Sequence, residues 1–226
     1  MSIARLRSRL FLLLLLGAVP LHAQESRDAL QKIVQNCIAP AGNRDDCPAP
    51  RVDRDDLADP ECRRTTYVWT ETAAYVAVRD REECGCPPGF VHGLALPFAY
   101  FPGIEADDLP EGIWPFAWEA AREHIGDESA IALVVNSPWQ RTQDYLHIHL
   151  VRLRDGAPRE LGTGLTASVA TLEHVWDIGR SIARASHLAD YGLLVVRGES
   201  GGFTVRVQGG WPRDSAEKAF TVFRCR

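Results

Sequence analysis

The chain is short of lysine. Of its 25 Lys and Arg residues only Lys32 and Lys218 are lysines, so nearly every positive charge is a guanidinium. Arginine binds phosphate bidentately, but for most of these residues genomic codon bias is the plainer reading. Positive charge is also in overall deficit, with 30 Asp and Glu and a net charge of −5. That excludes the basic field on which non-specific nucleic-acid binding relies. A second long apolar run is missing too. Beyond the first 23 residues nothing approaches the ~20 residues of a membrane-spanning helix, so the remainder is expected to be soluble. Cysteine is absent from Pro87 to Arg224, although the chain holds six. With 46% hydrophobic and 24% charged residues, wholesale disorder is excluded. A length of 226 residues fits one domain.

The first 23 residues are laid out as a secretory signal. Arg5, Arg7 and Arg9 form a basic start, Leu10 to Val19 an apolar middle, and Leu21-His22-Ala23 a cleavage site. Leu21 is larger than the usual small residue there, so an uncleaved signal anchor is the alternative. Cleavage after Ala23 would remove three arginines and no acids, taking the net charge from −5 to −8. The expected location is therefore the periplasm or the periplasmic face of the inner membrane, with residues 24–226 as the exported domain.

Cys37, Cys47, Cys62, Cys84, Cys86 and Cys225 all lie in the exported part, and an even count in an oxidising compartment implies disulfides. Zinc at Cys84-Gly85-Cys86 is the weaker reading, because no second close pair completes a tetrahedral site. The staples are expected to tie the N-terminal segment to itself and to the extreme C-terminus. Within that segment Ser26 to Asn36 reads as a short helix capped by Ser26, with Leu30, Ile33, Val34 and Cys37 on one face. Residues 40–64 turn rich in Pro, Asp and Arg and read as an irregular acidic loop. Their spacing does not match an EF-hand.

Strands are expected at Thr65–Thr70, Ala73–Arg79, Phe90–Leu96, Ala130–Asn136 and Tyr145–Arg152. Leu193–Arg197 and Phe203–Gln208 read as a hairpin about Gly198–Gly202, and Ala219–Arg224 as a last strand. Glu111 to His124 reads as a helix, with Pro115 tolerated in its first turn and Gly126 as its stop. Ser168 to Leu188 reads as mostly helical. Strands cluster rather than alternating strictly with helices, so the fold class is α+β.

One stretch carries chemistry. From Tyr145 to Arg152 the pattern has a period of two: Leu146, Ile148 and Leu150 share one face, and Tyr145, His147, His149 and Val151 the other. Two imidazoles on one face, flanked by apolar residues, are not what a solvated edge needs. A neutral imidazole serves as metal ligand, general acid/base or nucleophile. The metal reading needs a third histidine and a carboxylate. Asp155 and Glu160 fall on a turn, and His92, His124, His174 and His187 are scattered, so the nucleophile reading ranks higher.

The segment resembles the histidine-triad (HIT) superfamily of nucleotide hydrolases and transferases, whose signature is His-φ-His-φ-His with φ apolar. Asn136 lies eleven residues before His147 and Gln143 four before it, as in that family. Within it the chain is similar to the bacterial CDP-diacylglycerol pyrophosphatase family. The passages concerned are Leu30 to Cys37, Asn136-Ser137, Arg141-Thr142-Gln143, Leu146 to His149 and His187 to Arg197. The third triad position departs from the pattern: it is Val151.

The resemblance implies a HIT-like antiparallel sheet with flanking helices, in a single domain with a disulfide-tied N-terminal segment. It implies hydrolysis of CDP-diacylglycerol to CMP and phosphatidate, with His149 as nucleophile and His147 bonding the phosphate or leaving oxygen. Asn136 and Gln143 would donate to phosphate oxygens. Arg141 would add charge, and a loop salt bridge is its equal alternative. No metal or other cofactor is required if these donors stabilise the charge. The expected partners are the lipid nucleotide and a membrane surface, without nucleic acid and with a homodimer allowed. Trp114, Phe116, Trp118 and Trp139 are candidates for a lipid entrance, with core packing as the alternative. An exported hydrolase of soluble nucleotide conjugates and a non-catalytic nucleotide- or lipid-binding module are the competing functions.

Overall fold

The structure, a computed structural model, describes residues 26–39, 42, 44–210 and 212–225. The signal-like residues 1–23 lie outside them. The strands are β1 (Arg51–Val52), β2 (Thr66–Glu71), β3 (Tyr75–Arg79), β4 (His92–Pro97), β5 (Ile131–Val135), β6 (Ile148–Arg152), β7 (Leu165–Val169), β8 (Tyr191–Arg197) and β9 (Phe203–Gly209). Among the described residues these nine form one sheet in the order β1-β2-β3-β4-β6-β5-β8-β9-β7. Only the short β1–β2 pair is parallel. The α-helices are α1 (Ala29–Lys32), α2 (Ile113–Ile125), α3 (Ala157–Leu161), α4 (Val175–Ala185) and α5 (Ala216–Phe220). The result is a single α+β domain, as the clustering of strands implied.

The two faces of the sheet are covered differently. Alternation along β6 turns Ile148 and Leu150 toward the large apolar core, where α2 contributes Ile113, Trp114, Ala117 and Trp118. Pro115 sits in the first turn of α2, where its missing N–H costs nothing, and Gly126 ends the helix at φ 80°. On the opposite face two smaller clusters form. One gathers Val134, Val151, Leu161, Leu194 and Phe220 beneath α3 and α5. The other gathers Val34, Cys37, Val76, Leu94, Leu96 and Tyr145 beneath the N-terminal helix. His92 of β4 and His149 of β6 lie on this face too.

Disulfides join Cys37 to Cys47, Cys62 to Cys84, and Cys86 to Cys225. They staple the N-terminal segment to itself and to the C-terminus, as the cysteine distribution implied. Residues 44–64 are irregular apart from β1 and 3-10 turns.

Three local expectations change. The first helix has Asp28, not Ser26, at its N-cap, and α1 runs on into a π-helical stretch, Ile33–Ile38. The mostly helical segment Ser168 to Leu188 begins later than expected, because residues up to Val169 pair with β9 and α4 begins only at Val175. Antiparallel ladder bonds there outweigh a weak local helical pattern. Finally, Ala219–Arg224 is not a strand. Ser215 caps α5 by accepting from the Lys218 amide at 3.3 Å, and only Thr221 makes an isolated bridge, to Leu153.

Candidate active site

Register builds the site. Leu94 on β4 and Val134 on β5 both pair with His149 on β6, while His92 pairs with Val151. Paired residues point to one face of a sheet, so His92 and His149 stand side by side. Asn136, two residues beyond Val134, joins them at the end of β5. At Gly192 of β8 an added Cβ would lie 2.5 Å from the Val135 carbonyl oxygen, so only glycine lets β8 pass this close to the Asn136 backbone. From the other side α5 lowers Glu217 onto the group, anchored by the buried Ala216 and Phe220.

The five residues are all buried, with relative exposures of 2% for His92, 7% for Asn136 and His147, 8% for His149 and 9% for Glu217. His92 Nε2 lies 3.1 Å from His149 Nδ1. Glu217 Oε1 lies 3.3 Å from His92 Nε2 and 3.4 Å from His149 Nδ1. Asn136 Nδ2 donates to Glu217 Oε2 at 2.7 Å and faces His149 Nε2 at 3.3 Å. His147 Nδ1 donates to the Tyr145 carbonyl at 2.6 Å.

These bonds fix tautomers, because carbonyls and carboxylates only accept. His147 must carry its proton on Nδ1, leaving a lone pair on Nε2. Glu217 orients the Asn136 amide with Nδ2 toward it, which leaves the second N–H of that amide for His149 Nε2. A neutral His149 therefore carries its proton on Nδ1. Burial first, then the charge of His149, lowers the His147 pKa to about 4. Burial also lowers His149, against the opposing pull of Glu217. For Glu217 burial works upward, but His149, His92 and Asn136 outweigh it and hold the carboxyl well below its usual range. His92 is raised: burial is the largest influence and opposes, but Glu217, Asp80 and Glu82 together exceed it. At neutral pH the group is thus an anionic carboxylate among imidazoles, with His147 and His149 neutral.

The residues open onto a cavity of about 590 Å³. Lys32, Arg63, Arg64, Arg79, Arg81, Arg141, Lys218 and Arg224 line it, against the acids Asp80, Glu82 and Glu217. Both lysines of the chain are among them. Arg79 is committed to Asp55 at 2.5 Å, and Lys32 pairs with Asp28 at 3.0 Å. Lys218 makes no ion pair among the described residues.

The residues singled out by sequence all reach this cavity, in differing states. His147 and His149 are central. The Asn136 amide is spent on Glu217 and His149. Gln143 clamps the N-terminal helix, accepting from the Leu30 amide at 3.0 Å and donating to the Ser26 carbonyl at 3.3 Å. The Arg141 guanidinium is held by Glu105 at 2.6 Å and by Asp144 at 3.3 Å, the loop salt bridge of its two readings. Of the four aromatic candidates for a lipid entrance, Trp114 and Trp118 are buried and Phe116 packs against the core, so those three are packing residues. Trp139 is 80% exposed, on the turn between Asn136 and Arg141.

Sequence reasoning missed two members. His92, distant from the pair in sequence, stands opposite Val151 on the neighbouring strand, beside His149. Its signal was a lone polar side chain within the apolar run Phe90–Leu96. Glu217 lies in no motif. Asp80, His92 and His149 bring three donor atoms within 4.8 Å of one another, the donor set nearest to a metal centre in this cavity. Within it His92 Nε2 and His149 Nδ1 are hydrogen-bonded to each other at 3.1 Å. A second such cluster, Glu111, His174 and Asp177, is fully exposed.

A buried, neutral histidine pair under a cationic lining suits displacement at a phosphorus atom. Comparison with protein families agrees: the family model for CDP-diacylglycerol pyrophosphatase matches residues 25–178. The match covers more than half of the chain and includes β4, β5 and β6 with His92, Asn136, His147 and His149. The chain belongs to the CDP-diacylglycerol pyrophosphatase family, hydrolases of a pyrophosphate bond.

Proposed function

We propose that the chain cleaves CDP-diacylglycerol to CMP and phosphatidate in two displacements, through a nucleotide held covalently on His149. The observation that carries the covalent route is the state of that imidazole: buried, neutral and protonated on Nδ1, with its Nε2 lone pair on the Asn136 amide at 3.3 Å, a long contact that attack exchanges for the bond to phosphorus. Attack by Nε2 on the cytidine-side phosphorus forms an N–P bond and breaks the bond to the bridging oxygen. Phosphatidate leaves with the electron pair. Water then attacks the same phosphorus and releases a proton to solvent, the N–P bond breaks with its electron pair returning to Nε2, and CMP departs as the ring becomes neutral. His147 cannot donate while neutral, because its Nδ1 proton is given to Tyr145. Its Nε2 instead accepts from the water of the second step and orients it. Lys218, Arg63, Arg64 and Arg224 supply positive charge for the diphosphate.

In this reading the fold is a branch of the histidine-triad superfamily, exported and working at the periplasmic face of the inner membrane. It acts as a monomer or a homodimer. Exposed Trp139 beside the site is the contact suited to a membrane surface. The test is an alkaline-quenched reaction with CDP-diacylglycerol labelled in its CMP moiety, followed by mass analysis of the His149 peptide. A labelled adduct on His149, together with loss of turnover in His149→Ala, is expected. Full turnover in His149→Ala would end the nucleophile assignment. Equal rates of CMP release from a water-soluble CDP-alcohol would remove the lipid from the proposal.

A further inference from the structure

Glu217 is an unusual carboxylate for this chain. It is 9% exposed, and among the described residues no arginine neutralises it; its partners are His92, His149 and Asn136. A carboxylate buried against imidazoles alone is costly for a fold and useful for a site. It also lies outside residues 25–178, the span matched by the family model. Resting on His149 as the nucleophile, we infer that Glu217 is its positioning residue: through the Asn136 amide it keeps the His149 proton on Nδ1, and it faces the charge that the ring gains on attack.

The geometry supplies both parts. Oε2 accepts from the Asn136 amide at 2.7 Å, which turns the other amide N–H toward His149 Nε2. Oε1 lies 3.4 Å from His149 Nδ1, whose hydrogen bond at 3.1 Å is to His92 Nε2. One carboxylate thus sets the tautomer through Asn136 at Nε2 and lends its charge beside Nδ1. Once Nε2 is bonded to phosphorus, the ring is a cation still protonated on Nδ1, and Glu217 stands against that positive charge. The carboxylate stays ionised throughout, and no proton needs to pass to it. Because the charge on the ring exists only during and after attack, the interaction favours the transition state over the ground state. The carboxylate is itself held, since α5 is capped by Ser215 and fastened by Phe220.

The test compares the exported enzyme with Glu217→Gln and Glu217→Asp, each checked by circular dichroism and melting temperature. In Glu217→Gln, kcat is expected to fall at least about 100-fold with KM changed only a few-fold, by analogy with other lost orienting partners of histidine. Glu217→Asp should recover part of that loss. Nitrogen-15 NMR of the His149 ring should show Nδ1–H in the parent and in Glu217→Asp, and loss of that preference in Glu217→Gln. An unchanged tautomer, an unchanged kcat, or a loss confined to KM would overturn the inference. If Glu217→Gln does not fold, Glu217→Asp decides: parental kcat with the carboxylate one methylene short would overturn it equally. Should His149→Ala retain turnover, the nucleophile reading fails on its own, while the tautomer comparison still decides whether Glu217 fixes the place of the ring proton.

Discussion

Removing the Cys86–Cys225 disulfide is expected to destabilise the protein more than removing either of the others, while leaving the folded enzyme active. The three bridges close loops of very different size, with sequence separations of 10 for Cys37–Cys47, 22 for Cys62–Cys84 and 139 for Cys86–Cys225. In the chain-entropy account a cross-link stabilises by restricting the unfolded chain, by about 3 kcal/mol for each of the two short loops and about 5 kcal/mol for the long one. Set against a total of roughly 5–15 kcal/mol for an ordinary domain, that is a large share. With a urea dependence of about 2 kcal/mol per molar, Cys86→Ser/Cys225→Ser should lower the urea midpoint by about 2.5 M.

Activity should survive in the folded fraction, because α5 has other attachments. The Arg154 guanidinium donates to the Ala219 carbonyl at 2.6 Å, and its amide donates to the Phe220 carbonyl at 3.0 Å. The Val222 amide donates to the Arg152 carbonyl at 2.8 Å, and Phe220 is 5% exposed in the cluster with Leu161 and Leu194. The assay is urea unfolding of each Ser/Ser pair at one temperature, with CMP release measured in the native baseline. One outcome refutes the reasoning: turnover lost with the long-loop bridge while the urea midpoint moves less than for Cys37–Cys47. The C-terminal segment would then open independently of the sheet, and the bridge would act locally.

Three shorter predictions accompany it. Glu83 is 6% exposed and burial raises its pKa to about 7, so between about pH 4.5 and 7 the folded chain keeps a proton that the unfolded chain has released; stability is lost as pH rises through that window, on the order of 3 kcal/mol in full. Relative to the parent, Glu83→Gln should therefore gain stability as pH rises from 4.5 to 7, and parallel urea midpoints across that range would contradict it. Trp139→Ala should slow hydrolysis of CDP-diacylglycerol in vesicles several-fold and leave a short-chain soluble analogue unaffected; equal effects on both would remove Trp139 from the membrane contact. Activity should persist after dialysis against EDTA, whereas a loss restored by a divalent cation would make ligands of Asp80, His92 and His149.

What was legible in the sequence followed from local periodicity. The alternation through Tyr145 to Arg152 marked β6 and set His147 and His149 against one face before any neighbour was known. Gly126 and Pro115 marked the ends of α2 by backbone chemistry alone. His92 was not legible, because nothing local says that β4 pairs with β6 in the register that opposes His92 to Val151. That pairing spans more than fifty residues and is settled by burial of both strands. Glu217 was hidden for a related reason. It lies in a five-residue helix, too short to show a period, in a segment whose Phe220, Val222 and Phe223 resemble a strand. Gln143 and Arg141 were recognised by position, but whether their side chains were free depended on Leu30, Ser26, Glu105 and Asp144, which sequence could not bring near.

The scarcity of lysine takes on meaning through the cavity. In a chain where arginine serves almost everywhere, both remaining lysines line one hollow, Lys32 at the end of α1 and Lys218 on α5. Codon bias explains the arginines, but it offers no reason for the two exceptions to converge. The charge balance points the same way. A protein of net charge −5 repels a diphosphate at a distance, so attraction must be concentrated where the ligand sits. Eight cationic side chains against three acids achieve that within one cavity. Much of the positive charge is already paired, as with Arg79, Arg141 and Lys32. Lys218 makes no ion pair among the described residues and is next in sequence to Glu217. A flexible ammonium suits a phosphate that must arrive, change partner and leave, whereas a fork bound at two points would hold it. In the proposed reaction one short helix would thereby place a carboxylate for the nucleophile beside an ammonium for the substrate.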